Sequence, residues 1–328
     1  MTADQPRALL VAGPTASGKS ALTLAIAARF GGTVINADSM QVYRELRIIT
    51  ARPTPEEEAR VPHRLYGVRP AAEAASVAWW RATALAEMEA ARSAGRLPIL
   101  CGGTGMYFAS LTQGLSDIPP IPDEAREEAR RLLAEEGPAA LHARLAAVDP
   151  GTAARLRPSD SQRIARAFEV WRGTGRGLAA WQAGGGTGPA PWRFAAILID
   201  PPRDALRAAI AARWEAMIAG GAIEEVRALV AQGLDPALPA MRAHGVPELA
   251  AHLAGTMTLT EASRRAILNT GQYTKRQATW FRHHALADLS RLHTIHARIA
   301  GDAQFSERFN ADVFSFVDRC VDAAQRGV

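Results

Sequence analysis

The chain has 328 residues, 48% of them apolar and 22% charged, with a net charge of +5. This is the composition of a soluble protein with a packed core, arranged as one large domain or two modest ones. Cys101 and Cys320 are too few for a disulfide framework and lack metal-ligand spacing, and no apolar run is long enough to span a bilayer. Residues 1–7 carry no apolar signal core, so the expectation is a reduced, cytoplasmic protein with no membrane role. The positive balance permits a nucleic-acid partner without requiring one.

Ala8-Leu9-Leu10-Val11-Ala12 predicts a short buried strand. It runs into Gly13-Pro14-Thr15-Ala16-Ser17-Gly18-Lys19-Ser20, which fits G-x-x-x-x-G-K-[ST]. Residues 19–30 then predict a helix stopped by Gly31-Gly32. A strand, a glycine-rich loop and a helix in that order form a cradle for a chain of phosphates. The glycines let the backbone approach phosphate oxygens, and the helix N-terminus adds the positive end of its dipole. Lys19 supplies a mobile point charge, and the Ser20 hydroxyl suits a Mg²⁺ ion on the same phosphates. Of 38 Lys and Arg residues only Lys19 and Lys275 are lysine. A compact ammonium kept against so strong an arginine bias points to a task that a planar guanidinium performs poorly.

Further strands are predicted at 33–36, 97–101 and 194–199, with helical stretches between them such as 79–92. Strands alternating with helices indicate an α/β fold, a P-loop core whose parallel sheet is flanked by helices. Sites in such sheets lie beyond the carboxyl ends of the strands. Those ends are the phosphate loop, Ala37-Asp38-Ser39, Gly102-Gly103-Thr104-Gly105 and Asp200-Pro201-Pro202-Arg203. A stretch between Ile118-Pro119-Pro120-Ile121-Pro122 and Gly184-Gly185-Gly186-Thr187-Gly188 has helical patterns at 124–136 and 162–172 and no strand signal. Pro-rich and Gly-rich borders mark it as a helical insertion, although 162–172 would fit equally well against the sheet. The expected division is a first part of the core at 1–118, an insertion at 119–190 and a second part of the core at 191–328, helical almost throughout after Pro202.

Asp38, at a strand tip, has three open roles: binding Mg²⁺, accepting a proton from an attacking group, or capping the following turn. Thr104 offers a hydroxyl to the crevice or serves its turn. Thr258-Leu259-Thr260-Glu261 has a capping-box pattern that opens a helix reaching toward His284. Arg264, Lys275 and Arg282 recur on one face of it, beside Arg265, Arg276, Trp280 and Phe281. Such a stripe suits phosphate backbone and stacked bases, or an ordinary solvated helix with buried aromatics. In the helix from Arg203, Arg207 or Arg213 could reach back to the phosphates.

Several strings together resemble the bacterial tRNA dimethylallyltransferase (tRNA isopentenyltransferase) family. They are the phosphate loop, Asp38-Ser39-Met40-Gln41-Val42-Tyr43, Gly102-Gly103-Thr104-Gly105-Met106-Tyr107-Phe108 and Arg157-Pro158-Ser159-Asp160-Ser161-Gln162-Arg163-Ile164-Ala165-Arg166-Ala167. Ile223-Glu224-Glu225-Val226-Arg227 and Lys275-Arg276-Gln277-Ala278-Thr279-Trp280-Phe281-Arg282 complete the set, in the family's order over nearly the whole chain. The resemblance implies transfer of a dimethylallyl group from its diphosphate to N6 of the adenosine 3′ of the anticodon, position 37, in tRNA. It implies Asp38 as general base, Lys19, Ser20 and Arg213 on the diphosphate, and Mg²⁺ as cofactor. It further implies tRNA contacts from Asp38, Ser39, Met40, Gln41, Thr104, Arg126, Gln162, Arg163, Ile164, Ala165 and Arg166, with Lys275 and Arg282 added by the helical stripe. The insertion would grip the anticodon stem-loop, and no stable protein partner is implied. The chain departs from the family's usual strings at Glu45, Ile49, Arg52, Val246 and Gly271.

The same loop would serve a nucleoside or small-molecule kinase that binds ATP, a reading that phosphoryl transfer from labelled ATP would support. A non-catalytic RNA-binding protein is the third reading, and it leaves Asp38 and Lys19 without a purpose.

Overall fold

A computed structural model describes residues 5–300 and 307–321. They form two compact units, one built from the chain up to Thr112 and from Ala190 onward, the other from Gln113–Pro189. The first unit begins with β1 (Arg7–Ala12), α1 (Lys19–Phe30), β2 (Gly32–Asn36), α2 (Pro55–Arg60), β3 (His63–Arg64), α3 (Val77–Ser93), β4 (Leu97–Gly102) and α4 (Gly105–Thr112). The second unit holds α5 (Asp123–Val148), α6 (Pro150–Ala153), α7 (Ser161–Thr174) and α8 (Leu178–Ala183). The first unit then resumes with β5 (Arg193–Ile199), α9 (Arg203–Ala219), α10 (Ala222–Val230), α11 (Val246–Leu253), α12 (Leu259–His283), β6 (Leu292–Ile295) and α13 (Glu307–Val321).

The strands make one six-stranded sheet in the order β3-β2-β4-β1-β5-β6. Every pairing is parallel. Both faces are buried, so the central strands read as continuous apolar runs instead of alternating ones. In β1, Ala8, Leu10 and Ala12 enter the core on one face, while Leu9 and Val11 enter the core on the other. The first core is closed by Trp80 and Met88 of α3, Tyr107 and Phe108 of α4, and Trp214 and Met217 of α9. The second is closed by Leu22 and Ile26 of α1 and by Val313, Phe316 and Val317 of α13.

The strands predicted at 33–36, 97–101 and 194–199 appear as β2, β4 and β5. The sequence reading missed two edge strands. β3 has two residues, too short for any periodicity, and Leu292-His293-Thr294-Ile295 of β6 is only partly buried. The expectation of helix almost throughout after Pro202 is therefore corrected by β6, which pairs with β5 from Ala196↔Leu292 to Ile199↔Ile295. At Thr258 the hydroxyl accepts from the Glu261 N–H at 3.2 Å, but the Glu261 carboxylate bonds Arg264 and Arg265 instead of reaching back. Only half of the expected capping box is present.

In the second unit α5 bends at Gly137, where φ is 80° and Pro138 follows, next to the predicted helix end at Glu136. The α7 segment packs on α5, with Ile164, Ala167 and Phe168 meeting Ala129, Leu132, Leu141 and Leu145. The glycine-rich border pairs with the chain that enters this unit: Ser116 bridges Gly186, and the Thr187 N–H donates to the Leu115 carbonyl at 2.9 Å. A Cβ at Gly186 would lie 1.9 Å from the Leu115 oxygen, so only glycine allows this approach.

One carboxylate fixes a loop on which the first unit's site depends. Glu225 of α10 accepts the backbone N–H groups of Arg47 and Ile48 at 2.8 Å each and of Ile49 at 2.9 Å. Three charge-assisted bonds pin the turn that carries Ile49 and Thr50. Glu225→Ala leaves three N–H groups without that acceptor, so thermal unfolding should show a lowered Tm and a loss of roughly 2–3 kcal/mol.

Candidate functional site

The phosphate loop leaves β1 at Ala12 and enters α1 at Lys19. Gly18 caps the helix at φ 92°, and a Cβ there would lie 2.0 Å from the Ile299 carbonyl oxygen. Glycine is thus required at that position both for its backbone conformation and for space. The Ser17 N–H donates to the Pro14 carbonyl at 3.2 Å and closes the loop on itself. The Ser17 hydroxyl is wholly buried without a protein partner.

A cavity of about 220 Å³ opens beside the loop, entirely within the first unit. Its polar side is formed by Thr15, Lys19, Ser20, Asp38, Thr50 and Arg213. Its apolar side is formed by Ile49, Ile210, Trp214, Met217 and Ile267. Tyr273 and His244 complete the wall, their rings 4.8 Å apart at 45°. On α9 the lining residues Ile210, Arg213, Trp214 and Met217 recur at helical spacing, so one helix presents a cation and an apolar wall together.

Lys19 reaches back along the loop toward the Pro14 carbonyl at 3.4 Å. Burial lowers its pKa below the ordinary lysine value; Cys101 and Asp38 oppose that shift, and Arg213 adds to it. Arg213 donates from Nη2 to the Thr50 carbonyl at 3.0 Å, and its pKa too is lowered by burial against the pull of Asp38. Burial raises the pKa of the Tyr273 hydroxyl, and the Asp38 charge adds to the rise. Burial lowers the His244 pKa, with Arg276 acting in the same direction.

Asp38 fills one of its three open roles, the turn cap, and its carboxylate is also placed at the cavity. Its Oδ1 accepts the Met40 N–H at 3.0 Å, which caps the turn, and the carboxylate also lines the cavity. The Asp38 N–H donates to Asn36 Oδ1 at 2.8 Å, so the strand tip is held from both sides. Ser39, Met40 and Gln41 line the same cavity. Gln41 donates to the Thr50 and Ala51 carbonyls at 2.9 and 3.0 Å. Thr104 is outside the cavity wall; its Oγ1 accepts the Ser39 N–H at 2.9 Å and so supports the turn.

The other candidates lie elsewhere. Arg126 pairs with Asp123, Arg163 with Asp160 and Arg166 with Glu169, all in the second unit. Gln162 is exposed, Ala165 is half-buried, and the Ile164 side chain is fully buried in the α5–α7 packing. Arg207 pairs with Asp204 and does not line the cavity, which leaves Arg213 as the α9 cation there. Lys275 is exposed on α12, whereas Arg282 binds Asp200 through both carboxylate oxygens at 3.2 Å each. That ion pair also occupies the carboxylate at the end of β5. Of the departures, Ile49 lines the cavity and Val246 is buried, while Gly271 faces open space.

Sequence reasoning missed Trp214, Met217, Ile267, His244 and Tyr273. The helical recurrence of Ile210, Trp214 and Met217 around Arg213 was the available signal for part of that wall.

Residues 41–284 match the IPP transferase family, and residues 6–73 match an isopentenyl transferase family. The chain belongs to the IPP transferase family. It is 62% identical over 323 residues to the tRNA dimethylallyltransferase of Gluconacetobacter diazotrophicus, covering 98% of this chain and 97% of that one. It is 63% identical over 316 residues to that of Granulibacter bethesdensis, covering 95% and 98%. The solved tRNA isopentenylpyrophosphate transferase of Bacillus halodurans superposes with a TM-score of 0.69 at 30% identity, covering 98% of this chain and 99% of that chain. A eukaryotic dimethylallyltransferase acting on tRNA shares the fold, with a TM-score of 0.76 over 96% of this chain and 80% of that one. Among the described residues no helix is long and apolar enough to cross a membrane. The P-loop core of an IPP transferase thus places two half-buried cations, a carboxylate and an apolar wall around one cavity.

An anion bound beside Lys19 would favour the charged ammonium and raise its pKa from a value that burial holds low. Between the two values, binding takes up a proton, and affinity falls as pH rises through the pKa of the free protein. Calorimetric titration with dimethylallyl diphosphate in two buffers of different ionisation heat should show this uptake at alkaline pH. Lys19→Met should abolish both the uptake and the alkaline fall in affinity.

Proposed function

We propose that this IPP transferase carries a dimethylallyl group from dimethylallyl diphosphate to N6 of the adenosine 3′ of the anticodon, position 37, in tRNA, releasing diphosphate. The observation that carries this reading is the division of one cavity into a cationic phosphate cradle and an apolar wall, with the Asp38 carboxylate among its lining groups. A five-carbon tail uses an apolar wall, whereas phosphoryl transfer from ATP has no need of one beside the phosphates. A tRNA substrate also suits a cytoplasmic enzyme.

The diphosphate lies along the loop from Gly13 to Ser20, with Lys19 and Arg213 on its oxygens. The dimethylallyl tail turns toward Ile49, Trp214 and Met217. The adenine enters unstacked from its neighbours, against the rings of Tyr273 and His244. Its N6 forms the new bond to the allylic carbon as the bond to diphosphate oxygen breaks, and the electron pair leaves on diphosphate. The amine lone pair is delocalised into the ring, so N6 must lose a proton as it attacks, and Asp38 accepts it. Lys19 and Arg213, fixed before the reaction, stabilise the growing negative charge.

The cavity wall also fits Mg²⁺. Among the described residues no cluster of three His, Cys, Asp or Glu side chains could hold a metal alone. Ser20 is a hard oxygen donor on the wall, and Mg²⁺ typically takes few protein ligands, substrate phosphates and waters completing its shell. Bound there, the ion would neutralise diphosphate charge.

Beyond the cavity, the candidate tRNA contacts are the exposed face of α12 on the first unit and, on the second unit by itself, Arg126, Gln162, Arg163 and Arg166. Mass spectrometry of tRNA nucleosides after incubation with dimethylallyl diphosphate and Mg²⁺ tests the reaction. An unmodified adenosine, or phosphoryl transfer from labelled ATP, would refute it.

Asp38→Asn keeps an oxygen for the Met40 N–H, so the turn is preserved while the base is lost. Turnover should fall about 10²–10⁴-fold with dimethylallyl diphosphate binding retained, read by single-turnover kinetics beside a binding isotherm. Lys275→Ala should weaken tRNA binding and reduce the slope of log affinity against log salt by about one. Dimethylallyl diphosphate affinity should stay at the wild-type level, as a salt titration of both ligands would report. Arg282→Ala should differ, because it also strips Asp200 of its partner and lowers the Tm.

A further inference from the structure

The phosphate loop holds a backbone shape that its own residues do not favour. Ala16 lies at φ 64°, a left-handed conformation that is costly for any residue with a Cβ. Three groups from outside the loop grip three consecutive residues around it. The Thr15 N–H donates to Gln277 Oε1 at 2.9 Å, Arg298 Nε donates to the Ala16 carbonyl at 3.0 Å, and the Ile299 N–H donates to the Ser17 carbonyl at 3.0 Å. Gln277, on the inner face of α12, is only 4% exposed. Its amide makes a second bond, from Nε2 to the Gly103 carbonyl at 2.9 Å. One buried amide thus spans the loop after β1 and the loop after β4. The fit is close, since a Cβ at Gly103 would lie 2.2 Å from that nitrogen.

We propose that Gln277 is a positioning residue for diphosphate binding. It holds the left-handed segment of the phosphate loop at a fixed distance from the β4 loop, so that the loop amides stay aimed at the phosphates. Gln277 touches no reacting atom, and it is separate from the exposed face of α12 that carries Lys275. Both amide atoms matter: the oxygen fixes Thr15, and the nitrogen anchors the side chain to Gly103. The inference rests on the phosphate-binding reading of the loop.

The test compares Gln277→Met and Gln277→Glu with wild type, titrating dimethylallyl diphosphate without tRNA and recording Tm in parallel. Methionine fills the same space without either hydrogen bond. It should weaken dimethylallyl diphosphate affinity about tenfold and raise its KM, with tRNA affinity unchanged. A glutamate carboxyl restores both bonds when neutral, donating to Gly103 and accepting from Thr15. When ionised it sets a negative oxygen against the Gly103 carbonyl and beside the diphosphate. Burial raises its pKa, so the affinity of Gln277→Glu relative to wild type should recover as pH falls. Wild-type dimethylallyl diphosphate affinity in both variants, with only a lowered Tm, would overturn the proposal and leave Gln277 as a brace of the core. Lys19→Ala separates the two readings. If it binds dimethylallyl diphosphate as wild type does, the phosphate-binding reading of the loop fails, whatever Gln277 does.

Discussion

The shared direction of the strands is the constraint on which the site depends. Because all the pairings in the sheet are parallel, each strand delivers its carboxyl end to the same edge. β1 hands over to the phosphate loop, β2 to the Asp38 turn and β4 to Gly103 and Thr104. Residues far apart in sequence therefore reach one crevice without any long-range signal in the sequence. The covered faces of the sheet supply the rigidity, since apolar side chains pack above and below it while polar groups gather at the strand ends.

Gathering them there has an electrostatic consequence. Burial disfavours the charged forms of both Lys19 and Arg213, and Asp38 only partly offsets it. Two desolvated cations beside one carboxylate form a site whose balance favours an added anion. In the proposed reaction that arrangement would gain most as negative charge grows on the leaving diphosphate, because the dipoles and cations need no rearrangement at that moment. The same cavity contains the apolar wall from α9, so its cations and its apolar surface are set side by side by one helix.

Two helices have separate tasks on separate faces. α9 presents Arg213, Trp214 and Met217 to the cavity, a cation beside an apolar wall. α12 turns Tyr273 and Gln277 inward, while Lys275 and Arg276 remain at the surface. The helical period, not the strand-end rule, sorts these residues. An amphipathic pattern in this chain therefore marks a boundary between an inner cavity wall and an outer charged face, in addition to a core.

The sequence by itself determined whatever depends on neighbouring residues. The phosphate loop is legible because its glycines, lysine and serine act within one turn, and β1, β4 and β5 because strands buried on both faces are continuously apolar. Asp38 is legible as a strand tip and as a candidate turn cap, although the cavity its carboxylate also lines is not. Tertiary structure decided what depends on packing between distant segments. β6 gains its identity from pairing with β5, and its own half-buried Leu-His-Thr-Ile gives no clear period. Arg282 appears in the sequence as part of a free basic stripe. It is drawn instead to Asp200, 82 residues away, because the fold brings a partly desolvated carboxylate within reach. The far wall of the cavity and the Gln277 bridge belong to the same class. Their contacts are chosen by which helix faces meet the strand ends, and no local spacing encodes that choice.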